Sequence, residues 1–255
     1  MGLFNKLLDI FVPPVCEVCG KEADHGKLLC GACSADFVRE CFEHCPLCGK
    51  TASRCLCYTG FTDVTKTTLA GHRFFSLTFY KSEKNYGKTD RLTERLMLGL
   101  KENGRFSDVF AEEMCRGLST IFDKSGENID DWIITYPPRS VENLYKNGFD
   151  QCEAVCAKMG EIIGCEVRPT LRRGGHASEQ KTLDAFGRRE NAENTLIPIR
   201  KNISEGERFI LFDDIITTGA TVSAAAEKLY SCGAAAVFPV SIARTMMREI
   251  KSVRD

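Results

Sequence analysis

The sequence has almost no surplus of charge, no apolar run long enough to cross a bilayer, and no secretory leader at its start. Lys and Arg number 34 and Asp and Glu 35, for a formal net charge of -1. Bulk charge therefore supplies no attraction to nucleic acid, and any such binding needs a local basic patch. The opening stretch from Met1 to Phe11 is too short and too charged for an export signal, and it stops at Pro13-Pro14. Its apolar residues Leu3, Phe4, Leu7, Leu8 and Phe11 recur at helical spacing. They predict an amphipathic helix over residues 1–15, docked on the rest of the protein. Lys6 also breaks the N-myristoylation pattern. These features predict a cytoplasmic protein, in a compartment where clustered cysteines bind metal rather than form disulfides.

Cysteine is abundant, with 14 residues in 255, and nine of them fall between Cys16 and Cys57. Eight of these nine pair as Cys16 with Cys19, Cys30 with Cys33, Cys45 with Cys48, and Cys55 with Cys57, leaving Cys41. The first three pairs are C-x-x-C, a spacing that lets a tight turn aim two thiolates at one ion. Two such pairs complete a tetrahedral zinc site. The natural grouping is Cys16, Cys19, Cys30 and Cys33 for one ion, and Cys45, Cys48, Cys55 and Cys57 for a second. Gly20, Gly31 and Gly49 are placed where the turns need a permissive backbone. The closing C-x-C is tighter than usual, so Cys41, His44 or His25 stands as an alternative ligand. Four thiolates leave no open position for a catalytic water, so the expected role is structural, with zinc binding replacing a core that residues 16–58 are too short to build. The five remaining cysteines read as small packing residues.

Residues 59–255 read as one α/β domain. Two amphipathic helices are predicted over 89–101 and 106–122, the first ended by Asn103-Gly104. Their pattern is that of packing elements, although Lys101 and Arg105 lie where they can reach a phosphate. The segment from Gly60 to Leu77 is mixed, and 80–88 reads as a polar loop. Trp132 to Tyr136 is a buried strand, followed by Pro137-Pro138-Arg139.

The most informative stretch runs from Arg208 to Thr221. Phe209 to Phe212 is a continuous apolar run, as in a parallel strand covered on both faces. Asp213-Asp214 follows, then Thr217, Thr218, Gly219, Ala220 and Thr221, then a helical pattern from Val222 to Gly233 and a second buried strand from Ala236 to Ile242. This is a β-loop-α-β unit whose loop lies at the carboxyl end of its first strand, where open α/β sheets bind ligands. Small hydroxylated residues opening a helix form an anion cradle. Twin acids would repel a phosphate in the same pocket, but they suit sugar hydroxyls or a hydrated Mg²⁺. A ribose carrying a 5-phosphate presents both ends.

The run of apolar strand, Asp-Asp, two apolar residues, Thr-Thr-Gly-x-Thr and helix closely resembles the phosphoribosyl pyrophosphate (PRPP) motif of type I phosphoribosyltransferases. Further segments extend the likeness: Lys146-Asn147-Gly148-Phe149-Asp150-Gln151, Leu171-Arg172-Arg173 with Gln180, and Arg188-x-x-Asn191. Together with the cysteine-rich head they resemble the ComF family, which joins a double zinc ribbon to a phosphoribosyltransferase domain. The chain departs from that pattern at Asn147, where the family has Arg, and at Asp150, where it has Asn.

The resemblance implies a type I phosphoribosyltransferase-like fold with a mostly parallel sheet. It also implies PRPP and Mg²⁺ held by Asp213, Asp214, residues 217–221, Pro138 and Arg139. Asp213 and Asp214 would orient the ribose in any transfer reaction. A lid carrying Arg172, Arg173, Gln180 and Arg188 would close over the diphosphate. It further implies a part in DNA uptake during natural competence, with single-stranded DNA and a DNA-translocating ATPase as partners. Two readings remain open: an enzyme transferring phosphoribosyl to an acceptor, and a non-catalytic nucleotide- and DNA-binding module.

Overall fold

The computed structural model describes residues 14–45, 48–55, 74–81, 91–174 and 195–245. The predicted helix at the N-terminus lies outside them, as do Cys57, Gln180 and Arg188. The elements in chain order are α1 (Gly31–Cys41), β1 (Phe75–Tyr80), α2 (Leu92–Asn103), α3 (Ser107–Ser125), β2 (Trp132–Thr135), α4 (Val141–Asn147), α5 (Gln151–Ile163), β3 (Leu171–Arg173), β4 (Leu196–Pro198), β5 (Arg208–Ile216), α6 (Ala220–Ser231) and β6 (Ala236–Thr245).

Four strands form a parallel sheet in the order β1-β6-β5-β2. A single parallel bridge between Ile134 and Val167 extends it beyond β2. Strand β5 shows why the sequence takes this form. Successive side chains point to opposite faces. Ile210 and Phe212 enter a core shared with α3 and α5, while Phe209 and Leu211 enter another shared with α6 and the β3-β4 hairpin. A strand covered on both faces has no solvent side, so its apolar run is continuous rather than alternating. The predicted parallel sheet flanked by helices, with a cysteine-rich N-terminal region, is the architecture found.

Strand β1 departs from the sequence expectation of mixed pattern and loop. Its alternation of Phe75, Leu77 and Phe79 with Ser76 and Thr78 resembles a half-exposed strand, yet Ser76 and Thr78 are fully buried. Their hydroxyls are satisfied inside the protein, Ser76 Oγ with Ser241 Oγ at 2.7 Å and Thr78 Oγ1 donating to the Glu40 carbonyl at 3.0 Å.

The cysteine-rich head shares the main core. Cys16, Ala23, Leu29 and Phe37 pack in one cluster with residues of α2, α3 and α5. Phe37 meets Phe110 edge-on at 5.5 Å between ring centroids. Helix α2 has no side-chain cap of its own at Arg91. Instead the Glu40 carboxylate, reaching from α1, accepts from the N–H groups of Leu92 and Thr93, each at 2.8 Å, and from Thr93 Oγ1 at 2.6 Å. A negative charge at a helix N-terminus is favourable, and here the head provides it.

Candidate functional site

The order of the sheet creates a crevice. The chain leaving β2 passes through α4 and α5 to the bridge at Val167, on one side of β2. The chain leaving β5 passes through α6 to β6, on the other side. The connections diverge between β2 and β5, which is where open parallel sheets leave a ligand cleft at the carboxyl ends of the strands. Thr135 of β2 pairs with Leu211 of β5, so Asp213 and Asp214 project past the end of β2. The two acids are the sixth and seventh of nine strand residues, so the strand runs past the apolar stretch Phe209–Phe212 that the sequence marks.

Several elements converge on the acids. Gln151, the first residue of α5, donates from Nε2 to Asp214 Oδ2 at 3.0 Å. Lys101, near the end of α2, places Nζ 3.7 Å from the same oxygen and 5.9 Å from the centre of the Tyr80 ring. Burial, reinforced by the neighbouring Asp214 carboxylate, pushes Asp213 up to about 8. Two further polar atoms here are buried without a hydrogen-bond partner among the described residues, Gln151 Oε1 and Arg139 Nη1.

The turn after β2 is pinned from two sides. Asp150 accepts from the Arg139 N–H at 2.7 Å and caps α5 through the N–H of Cys152 at 2.8 Å. The acid at this position is therefore a buried helix cap and turn anchor. Arg173, on β3, donates from Nε to the Pro138 carbonyl at 2.7 Å and from Nη1 to Thr195 Oγ1 at 2.9 Å. Arg139 lies over the Phe149 ring at 5.7 Å. Asn147 donates from Nδ2 to the Lys101 carbonyl at 3.2 Å, tying α4 to the end of α2.

The loop from Thr217 to Gly219 joins β5 to α6, whose first two residues are Ala220 and Thr221. Gly219 adopts the left-handed conformation, φ 75°, as the N-cap of α6, and no side chain caps the helix there. Thr218 Oγ1 makes one long contact with the Ala220 N–H, at 3.5 Å. Among the described residues, nothing accepts from the N–H groups of Thr218, Gly219, Thr221 or Val222. At its far side the loop is tied to the sheet, where Thr245 Oγ1 donates to the Thr217 carbonyl at 3.4 Å. The result is a set of amide donors at the positive end of a helix, beside two carboxylates.

The cysteines gather in two clusters, Cys16 with Cys19, Cys30 and Cys33, and Cys45 with Cys48 and Cys55. Within each, the sulfurs lie within 4.8 Å of one another. Four thiolates at a usual Zn–S distance stand about 3.8 Å apart. Cys19 and Cys30 are separated by 3.6 Å and Cys48 and Cys55 by 3.5 Å, so both clusters fit zinc. The pairs differ in form. Cys16 and Cys19 lie in a turn closed by Gly20, φ 70°, and Cys45 and Cys48 in one closed by Gly49, φ 65°. Cys30, by contrast, is the N-cap of α1, and Gly31 is the first residue of that helix rather than a turn glycine. Against the upward push of burial, N–H donors from Cys30, Cys19 and Val18 lower Cys16 to about 6, favouring the thiolate that a metal requires. Among the described residues, His25, His44 and Cys41 join neither cluster.

Of the residues singled out from sequence, Asp213, Asp214, Pro138, Arg139, Arg173 and residues 217–221 all lie on the switch-point elements or contact them directly. Arg105 does not, since it pairs with Glu17 of the head at 2.9 Å. Gln151 was legible only as part of a motif, and Lys101 only as a helix-end cation. An open cleft of about 600 Å³, whose lining includes Asp108, Glu112, Lys158, Glu161 and Ile162, is lined by none of these residues. Among the described residues, no helix is long and apolar enough to cross a membrane.

No family model matches the chain. It is similar to the DNA utilization protein YhgH of Salmonella typhimurium, with 29% identity over 126 residues, 48% of this chain and 53% of that protein. It is also similar to the protein of the same name from Escherichia coli (strain K12), with 27% identity over the same lengths. The chain thus spans about half the length of the curated relatives it matches. Solved structures similar to it include an adenine phosphoribosyltransferase from Thermoanaerobacter pseudethanolicus, 16% identical, covering 52% of this chain and 81% of that one, with a TM-score of 0.33. Another is the adenine phosphoribosyltransferase of Leishmania tarentolae, 11% identical, covering 58% and 74%, with a TM-score of 0.35.

Proposed function

We propose that the crevice between β2 and β5 binds a ribose 5-phosphate group, in the form of PRPP with Mg²⁺, in a protein of the phosphoribosyltransferase fold that serves DNA uptake. One observation carries the reading: at the switch point of a parallel sheet, unengaged amides at an uncapped helix N-terminus stand beside a half-buried pair of carboxylates. The amides of residues 218–222 suit the 5-phosphate dianion. Asp213 and Asp214 suit the ribose hydroxyls, and their hard oxygens suit Mg²⁺ through water. When bound, Mg²⁺ neutralises diphosphate charge. Lys101 and Arg139 add cationic groups on the side of the leaving diphosphate, which is where charge develops as the bond to ribose C1 breaks. Gln151, 7% exposed with its Oε1 unpartnered among the described residues, offers an acceptor for a ligand hydroxyl while its amide holds Asp214. Arg172, Gln180 and Arg188 are assigned to a lid over the diphosphate, with Arg173, sequence-assigned to the same lid, anchored at its base on β3.

The same site serves two readings. In the first, phosphoribosyl passes to an acceptor and pyrophosphate leaves. In the second, the fold is a non-catalytic nucleotide sensor that binds single-stranded DNA and acts with a DNA-translocating ATPase in natural transformation. The names of the curated relatives state DNA use, which both readings share. Calorimetric titration with PRPP and Mg²⁺ tests the shared premise. Wild type should bind saturably, and the Asp213→Asn/Asp214→Asn variant should lose at least tenfold in affinity. Equal binding by both proteins would remove the assignment. Pyrophosphate release in the presence of nucleobases then separates enzyme from module. Zinc is assigned to the two cysteine clusters as structural metal, two ions per chain.

A further inference from the structure

Arg244 is the penultimate residue of β6 and is only 2% exposed. From Nη1 it donates to the Cys55 carbonyl at 2.9 Å, and from Nη2 to Cys55 Sγ at 2.8 Å. Its guanidinium carbon lies 5.2 Å from the centre of the Phe74 ring and 5.4 Å from that of Phe79. Phe79 in turn packs in one buried cluster with Cys45, Ala52 and Cys55. A residue 189 positions away in sequence thus reaches into the second cysteine cluster and grips one ligand by its main chain and its sulfur together.

We infer that Arg244 is the positioning residue of the second zinc site. A buried guanidinium is costly unless it meets charge or strong acceptors. A zinc ion held by three thiolates carries a net charge of about -1, and by four about -2. The Arg244 cation offsets part of that charge in a place water does not reach. Its fork geometry also fixes Cys55 Sγ relative to the Cys55 carbonyl, which an ammonium acting as a point charge cannot do at once. Outer partners of this kind orient ligands and tune metal retention. The first cluster is built differently, since its sulfurs receive backbone N–H groups of the head itself, such as Cys33 N–H on Cys30 Sγ at 3.5 Å. The two sites therefore differ in what holds them: the first depends on its own turns, and the second on the last strand of the sheet.

The test uses full-length protein loaded with zinc and a chromophoric chelator that reports zinc released as a mercurial reagent titrates the thiols. Wild type is compared with Arg244→Met, Arg244→Lys and Cys19→Ser, the last marking release from the first cluster. Wild type should release two zinc ions per chain. Arg244→Met should speed one release about 10- to 100-fold and leave the other unchanged. The unchanged phase should be the one Cys19→Ser alters, and Arg244→Lys should lie between wild type and Arg244→Met. Release from Arg244→Met at the wild-type rate overturns the inference. So does equal acceleration of both ions, which marks general destabilisation. So does a wild-type protein that releases zinc from the first cluster alone. Should circular dichroism show Arg244→Met unfolded, Arg244→Lys decides, and an unaccelerated second release in that variant is equally fatal.

Discussion

Binding of PRPP and Mg²⁺ should expel a proton from Asp213. Burial and the Asp214 carboxylate push Asp213 up to about 8, so this group is largely protonated at neutral pH before a ligand binds. The protonated fraction is about 0.9 at pH 7, about 0.5 at pH 8 and about 0.1 at pH 9. A ligand whose hydroxyls and hydrated cation require the carboxylate must displace that proton. Binding at pH 7 should therefore release about 0.9 proton, and affinity should tighten about tenfold between pH 7 and pH 9. This window lies above the second ionisation of a phosphate monoester, near pH 6, so the ligand contributes little to the change. Isothermal titration in buffers of different ionisation enthalpy measures the proton number directly. Asp213→Asn should abolish the release, and Asp214→Asn, which removes the neighbouring charge that helps raise Asp213, should reduce it. Zero proton release with affinity flat from pH 7 to pH 9 would refute the claim that the ligand engages the ionised Asp213.

Three further outcomes follow from the same contacts. Because the folded state raises Asp213 from 3.8 to about 8, its contribution to stability is present below about pH 4 and is lost as pH rises toward 8; Asp213→Asn should raise the Tm at pH 9 by at least about 3 °C, with the gain shrinking by pH 4, in differential scanning calorimetry. Asp150→Ala removes the cap of α5 and the anchor of the Arg139 N–H, and should cost about 1–2 kcal/mol in urea denaturation while weakening PRPP binding. Glu40→Ala leaves the first N–H groups of α2 without the carboxylate, and should likewise cost about 1–2 kcal/mol by denaturation.

How much of this was visible in the sequence depended on whether the cause was local. Strand β5, the loop and α6 were legible because apolar continuity, a run of small residues and the following helical period are neighbours in the chain. The first cysteine cluster was legible for the same reason, since C-x-x-C spacing is itself the geometry. Strand β1 was not, because the partners that bury Ser76 and Thr78 are Ser241 and Glu40, far away in sequence. The strand was read as ending at Phe212 because polar residues ordinarily end a buried strand. Here β5 continues beside β6 as far as Ile216, and the register carries Asp213 opposite Ser241. Asp150 looked like an added negative charge where a family pattern has Asn. Only the fold shows that its carboxylate is spent on three backbone N–H groups, those of Arg139, Cys152 and Glu153.

Helix α2 links the head to the crevice. Its first N–H groups are held by Glu40 of the cysteine-rich head, and its last turn carries Lys101 to within 3.7 Å of Asp214. A helix of 12 residues is a rod of about 18 Å, stiff on the scale of a side-chain contact. Its far end is fixed as well, by Gly104 in the left-handed C-cap and by Asn147 on the Lys101 carbonyl. The height and tilt of the cation beside the acids are therefore set partly by α1, whose own N-terminus is organised by Cys30 and Cys33 of the first cluster. On this geometry, metal held by the first cluster would act on the proposed ligand site through a rigid element rather than through any group that touches the ligand. A head that merely decorated the domain would need neither the shared core at Phe37 and Phe110 nor a carboxylate spent on another segment's helix.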